Sequence, residues 1–283
     1  MFLVTGAGGN VGRELLAILQ DKGATVRALY RSIPDELPAG MEVVRGDLND
    51  PDSLAGAFDD VEGVFLLPGY ADMPGLVRLS ERSGARIILL SGPSADSRDL
   101  SNAVTSYMVR SEDAVRAGDV PWTVLRPSGF MSNTFQWVHQ LASGDVITLP
   151  FAGVPIAWID PADIAAVAAL ALTEPGHDRA TYRLTGPQSL TPPELVATLG
   201  RTLHRQLEFR AETDKQVKER FARELPPAYA VAFLDFYVDG ALDDARVLTT
   251  VAELIGQPAG TYEDWAVRHR EALLAAVREE VRS

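Results

Sequence analysis

Glycines 6, 9 and 12 stand in the run Val4-Thr5-Gly6-Ala7-Gly8-Gly9-Asn10-Val11-Gly12-Arg13, at the first, fourth and seventh places of a loop between a strand and a helix. Each has its own task. Gly6 permits the tight turn, Gly9 lets backbone approach a pyrophosphate, and Gly12 lets the helix pack close to the strand. Gly8, Asn10 and Val11 complete the loop, and the helix start offers unpaired N–H groups to an anion. Glycines alone would make an ordinary turn. Their place between a first strand and an amphipathic helix reads instead as a dinucleotide site, whose chemistry is hydride transfer by a nicotinamide cofactor.

About twenty residues beyond the last glycine, a site for NAD presents an acid to the ribose 2′-hydroxyl. This chain presents Tyr30-Arg31-Ser32. A guanidinium suits a 2′-phosphate, so NADP(H) is expected ahead of NAD(H); as the alternative, Arg31 is a solvated strand-end residue. Asp47-Leu48 follows the third strand, where an acid can accept the adenine amino group and a leucine can cover the ring. Asp47 could equally cap the next helix. Leu67 and Ser91 fall at carboxyl ends of strands, where a doubly wound sheet binds its ligand.

These residues need a scaffold of alternating strands and helices. Short apolar runs at 2–5, 25–29, 41–45, 63–67, 86–90 and 122–125 alternate with helix-patterned stretches at 11–20, 53–58, 75–83 and 106–117. That rhythm predicts an α/β fold, a doubly wound parallel sheet of the Rossmann type. After Pro127 a segment rich in Phe, Met and Trp leads into a hairpin-like stretch at 144–155, and a smaller C-terminal lobe is expected there. The helix at 160–173, with Asp160 or Asp163 at its start, and a strand at 182–185 return to the sheet. Further helices are predicted at 192–203, 214–223 and 263–282. The division is therefore 1–129 for the Rossmann domain and 130–283 mainly for a substrate lobe, with 156–186 rejoining the first.

Composition narrows the partners. A net charge of −13 repels phosphate backbones and anionic lipid, so neither nucleic acid nor membrane is expected. No run is long and apolar enough for a bilayer, and Met1–Val4 enters the glycine turn without a signal-peptide flank. The chain contains no cysteine, which excludes disulfides and thiol chemistry and fits a cytoplasmic home. The histidines His139, His177, His204 and His269 have no metal-ligand spacing, and no metal is expected.

The pieces TGAGGNVG, VRALYR, GDLNDPDSL, LLSG, WTVLRPSGFMSN and IDPADIAAVAALAL resemble the atypical short-chain dehydrogenase/reductase superfamily, in particular its NmrA-like, NAD(P)H-binding branch. The resemblance covers most of the chain and includes quinone and azo-dye reductases as well as cofactor-binding redox sensors. It implies Gly6, Gly9, Asn10, Val11 and Gly12 for the diphosphate, Arg31 for the 2′-phosphate, and Asp47 and Leu48 for adenine. The stretch 126–133 resembles the segment beside the nicotinamide, which makes Phe130 and Met131 candidate substrate walls; an aromatic and Met cluster is also ordinary core. Active members of the superfamily carry Tyr-x-x-x-Lys, in which the ammonium lowers the phenol pKa. Here Tyr107 lies on the matching helix as the candidate catalytic acid, but Ser111 stands at the lysine position and no lysine occurs between Lys22 and Lys215.

The resulting expectation is an NADP(H)-dependent oxidoreductase that passes hydride to a small aromatic or quinone-like acceptor, natural-product tailoring included. An electron-poor acceptor needs little proton donation, so the missing lysine is tolerable. The alternative is a non-catalytic NADP(H)-binding redox sensor that acts through a protein partner.

Overall fold

In the computed structural model, which describes residues 1–34 and 40–282, the first half of the chain alternates strand and helix. It runs β1 (Phe2–Val4), α1 (Asn10–Asp21), β2 (Val26–Tyr30), β3 (Glu42–Arg45), β4 (Gly63–Leu66), α2 (Met73–Ser83), β5 (Arg86–Leu90), α3 (Ala103–Ala117) and β6 (Trp122–Pro127). The second half contributes α4 (Val138–Ser143), β7 (Val146–Leu149), α5 (Pro161–Thr173), β8 (Ala180–Leu184), α6 (Pro192–Leu203) and β9 (Glu208–Ala211). It ends in α7 (Asp214–Glu224), α8 (Pro227–Tyr237), α9 (Thr250–Ile255), α10 (Tyr262–Arg268) and α11 (Arg270–Arg282).

Seven strands form one sheet in the order β3-β2-β1-β4-β5-β6-β8, and every pairing is parallel. The order reverses direction between β1 and β4. That switch point opens a crevice at the carboxyl ends of the strands, where doubly wound sheets bind ligands. The central strands are apolar because both faces are covered. On one face α1 and α5 pack through Leu15, Leu19, Ile164 and Ala168; on the other, α2 packs through Leu76 and Val77. Asp160 caps α5 by accepting from the Ala162 N–H at 2.9 Å.

Two expectations need correction. The stretch at 144–155 is no hairpin: β7 pairs in parallel with the distant β9 to make a separate two-stranded sheet. A hairpin needs a tight turn that matches strand twist, and the chain after Leu149 instead passes through Phe151 at φ +57° into α5. The expected helix at 263–282 is two helices, α10 and α11, broken at His269. The helix α8 was not foreseen, because its apolar residues surround it and give no one-sided period.

The last elements cross back over the strand ends. Thr185 Oγ1 accepts from the Leu248 N–H at 2.9 Å, and the Ala157 N–H donates to the Asp244 carbonyl at 2.7 Å. The core of the C-terminal half gathers Met131, Trp137, Leu141, Leu199, Tyr262 and Trp265.

Candidate functional site

The glycine loop is built by close backbone approach. Thr5 fixes the end of β1, its N–H and Oγ1 both donating to the Phe65 carbonyl, at 3.1 and 2.8 Å. The chain turns through Gly6 at φ +61°, a conformation that favours glycine, and the Gly9 N–H closes the turn on the Gly6 carbonyl at 2.8 Å. A Cβ on Gly12 would lie 2.1 Å from that same carbonyl oxygen. Helix α1 then starts at Asn10 with Gly9 as its N-cap, without a side-chain cap and without an acid in its first turn. Its first N–H groups and the positive end of its dipole are left for an external anion.

This loop floors a cavity of about 400 Å³, within the range of small-molecule sites. Its walls include Gly6, Gly8, Gly9, Asn10, Val11 and Gly12 at one side, and Arg31, Asp47 and Leu48 at one end. Leu67, Leu90, Phe65 and Phe130 complete the other end. Tyr30, Asn49 and Tyr70 also line it and were missed in the sequence. Tyr70 carried a usable signal, since it follows Leu67 at the carboxyl end of β4, where the fold places its ligand.

At the polar end Arg31 is exposed and has no ion pair among the described residues. Asp47 does not cap the short helical turn Pro51–Phe58: its Oδ1 accepts from the Asn49 N–H at 2.9 Å and from Asn49 Nδ2 at 3.0 Å. These two bonds, backbone first, and then Arg31, hold its carboxyl below the ordinary range. Burial, then the Asp47 charge, push the Tyr70 phenol up. Uncapped N–H groups, a glycine cradle and an exposed guanidinium make a donor set that fits a dinucleotide carrying an extra phosphate.

Three expected residues stand back from the cavity. Met131 is 1% exposed and packs into the C-terminal core, because the backbone from Phe130 turns its neighbour to the opposite side. Ser91 is buried, its Oγ donating to Glu112 Oε1 at 2.6 Å. Glu112 is itself gripped by a fork from Arg126, Nε to Oε1 at 2.8 Å and Nη2 to Oε2 at 2.7 Å, with Arg116 at 3.0 Å. The pairing continues from Arg126 to Asp96, Arg183 and Asp244, whose Oδ2 accepts from the Gly129 N–H at 3.3 Å. This charged chain braces the turn that presents Phe130, and no local motif signals it, because its members lie far apart along the chain.

Tyr107 lies beside the cavity rather than in its wall. Its ring packs on Gly69, where a Cβ would meet Cδ2 at 3.1 Å, and on Tyr229 of α8 with centroids 6.3 Å apart. Burial, then Tyr229, raise the phenol above its ordinary value. Ser111 explains the missing lysine: its Oγ accepts from the Gly69 N–H at 2.9 Å and donates to the Tyr107 carbonyl at 2.7 Å. An ammonium has no acceptor to offer that N–H.

The remaining tempting groups do structural work. Asp163 accepts from the Gly260 N–H at 2.9 Å, and burial pushes its carboxyl up to about 6. His139 and His269 bond to nearby carbonyls, His177 meets the Tyr182 hydroxyl, and His204 ends α6 in a left-handed conformation.

A parallel sheet with a glycine loop on its first strand and a cavity at its switch point defines a dinucleotide-binding α/β protein. The sequence model of the NmrA-like family matches residues 1–238, and the chain belongs to that family. It is 37% identical to a (4-alkanoyl-5-oxo-2,5-dihydrofuran-3-yl)methyl phosphate reductase of Streptomyces griseus, over 96% of this chain and 99% of that one. It is 31% identical to an NAD(P)H azoreductase of Xenophilus azovorans, over 98% and 100% of the two chains. The fold is also that of a Citrobacter triphenylmethane reductase complexed with NADP(H), with a TM-score of 0.76 at 22% identity, covering 95% of this chain and all of the other.

Proposed function

We propose that the protein is an NADP(H)-dependent reductase that delivers hydride to a small, flat, electron-poor acceptor of the quinone, azo or unsaturated carbonyl kind. The observation that carries this reading is one cavity that joins a phosphate-seeking loop to an exposed Arg31, without an ion pair among the described residues, at one end and to apolar walls at the other. Relatives named as reductases of a furanone phosphate and of azo compounds support an enzyme over a redox sensor.

The first N–H groups of α1 would bind the diphosphate, Arg31 the 2′-phosphate, and Asp47 with Leu48 the adenine. The bound cofactor supplies the hydride. Phe65, Leu67, Leu90 and Phe130 exclude water around the reacting carbon and orient the acceptor by contact. Ser91 is committed to Glu112, and Tyr107 has no ammonium neighbour, so neither acts as a tuned acid. The one proton that completes the reduction after hydride transfer comes from solvent, which suffices for an acceptor whose anion is conjugated. Residues 1–129 hold the cofactor, and 130–283 mainly shape the acceptor side, with 156–186 built into the sheet domain. Among the described residues no helix is long and apolar enough to cross a membrane, and we place the protein in the cytoplasm, acting on small molecules without nucleic acid.

The test is NADPH oxidation followed by absorbance against a naphthoquinone, an azo dye and a simple aliphatic ketone. Turnover of the first two but not the ketone is expected; no turnover of any conjugated acceptor refutes the reading. In the same assay series, Arg31→Asp is expected to weaken NADPH at least about tenfold more than NADH. Equal losses by calorimetry would remove Arg31 from the 2′-phosphate.

A further inference from the structure

The loop that follows β4 contributes Leu67 and Tyr70 to the cofactor cavity, and a serine of α3 holds it from beneath. The Gly69 N–H donates to Ser111 Oγ at 2.9 Å, while the Ser111 hydroxyl donates to the Tyr107 carbonyl one turn earlier, at 2.7 Å. The second bond fixes the first. With its proton committed to the helix, the oxygen can present only lone pairs to the loop. Gly69 stands at φ +90° and is exposed, so the loop is not covered on its solvent side. Among the described residues this is the one hydrogen bond made by the backbone of residues 68–71.

The base of this latch is firm. Ser111 is 1% exposed, Val109 and Val115 on the same helix are buried, and the adjoining Glu112 is gripped by the Arg126 fork. The far end of the loop reaches the cavity at two points. Leu67 lies on the glycine turn, where a Cβ on Gly6 would meet its Cδ1 at 2.6 Å. Tyr70 lines the cavity together with Arg31, Asp47 and Asn49, and after burial the charges of Asp47 and Arg31 act on its phenol. One hydroxyl on α3 therefore sets the height of a loop that touches both the glycine turn and the polar end of the cavity.

We propose that Ser111 is a positioning residue for the cofactor: by latching Gly69 it holds the 67–70 loop in the arrangement that binds NADP(H). This deepens the reductase reading and rests on its assignment of the cavity to that cofactor. It gives the helix position four residues after Tyr107 a task that needs an acceptor and not a charge. A neutral hydrogen bond is worth about three- to tenfold in an equilibrium. Without it the loop, bent at an exposed glycine, populates other arrangements. The cofactor then binds only the fraction that keeps the latched form, and its dissociation constant rises by the inverse of that fraction. Bound cofactor restores the loop, so the loss belongs to binding and not to the hydride step.

The experiment uses the full chain as wild type, Ser111→Ala, Leu67→Ala and the double variant. NADPH affinity is measured by calorimetry, melting temperature without cofactor by calorimetric scan, and hydrogen exchange of residues 67–71 by mass spectrometry with and without NADPH. Steady-state reduction of 2-methyl-1,4-naphthoquinone is followed in parallel. For Ser111→Ala the expected result is about three- to tenfold weaker NADPH binding, with faster exchange of the loop in the free protein that slows again when NADPH is bound. In turnover the loss falls on the KM for NADPH more than on kcat. Because Ser111 acts through the loop that carries Leu67, the double variant should lose less affinity than the product of the two single losses. NADPH affinity within twofold of wild type in Ser111→Ala overturns the latch, and so does a lowered melting temperature with unchanged affinity, which is what a purely structural tie would give. Losses that multiply in the double variant also overturn it. Ser111-dependent NADPH binding without oxidation by any conjugated acceptor would instead sustain the latch and sink the reductase reading.

Discussion

Replacing Gly12 with alanine should damage the fold before it damages cofactor binding. The added methyl would sit 2.1 Å from the Gly6 carbonyl oxygen, 2.8 Å from Gly6 C and 3.0 Å from Ala7 Cα. All three are backbone atoms, so no side chain can swing aside. A comfortable carbon–oxygen contact is about 3.3 Å, so turn and helix must part by about 1.2 Å. Helix α1 is not free to lift, because Val11, Leu15, Leu16 and Leu19 are buried in the core beneath it. Overpacking of this kind costs about 3 kcal/mol, which lowers the melting temperature by roughly 5–10 °C in a chain of this size. Gly9 provides the contrast. Its φ of −81° is ordinary for any residue, and its Cβ would meet only the Gly6 oxygen, at 3.2 Å. Gly9→Val should therefore melt within about 2 °C of wild type without cofactor, yet fail to bind it, since the side chain takes the space of the diphosphate. Thermal melts with and without NADPH read both effects: at a hundredfold excess over Kd the wild type gains about 2.7 kcal/mol, and Gly9→Val should gain none. A Gly12→Ala protein as stable as wild type would refute the packing argument. An undiminished NADPH shift in Gly9→Val would show that the loop is not the diphosphate site.

Tyr107→Phe should lower quinone turnover by less than about tenfold, because the phenol is raised by burial and Tyr229 and lacks the ammonium that would tune it. A loss of several hundredfold at unchanged cofactor affinity would make Tyr107 the catalytic acid after all. Asp244 sets a pH dependence: burial raises its carboxyl from 3.8 to about 6 against the opposing pull of Arg183 and the Gly129 N–H. A raised folded pKa means that its contribution is fully present below about pH 4 and is lost as pH rises through 6. Asp244→Asn removes that loss, so the melting temperature of the variant relative to wild type should climb between pH 4 and 7, by the equivalent of at most ~3 kcal/mol. A difference that stays flat or falls across that window would contradict the assignment.

Much of the cofactor end was legible because local sequence and local geometry coincide there. Gly6, Gly9 and Gly12 lie within one turn and one helix start, so their spacing carries the close approach directly, and Arg31 and Asp47 follow from the positions of strand ends. The strand rhythm gave the parallel sheet for the same reason: burial on both faces writes itself into consecutive apolar residues such as those of β4 and β5. What lies at the other end depends on contacts across long stretches of chain. Ser111 is a serine because Gly69, 42 residues earlier, needs an acceptor. Ser91 is withdrawn by Glu112 and Arg126. Met131 and Phe130, adjacent in sequence, go to different surroundings, and no pattern distinguishes which one reaches the cavity. Tyr229 meets Tyr107 only because Asn102 clips α8 to α3 across 130 residues. The sequence by itself determined where a phosphate-rich ligand would lie, since backbone conformation is a local property. Only the tertiary structure decided what surrounds the reacting end, since hydrogen-bond partners and ring contacts there are supplied by segments whose meeting no local period records.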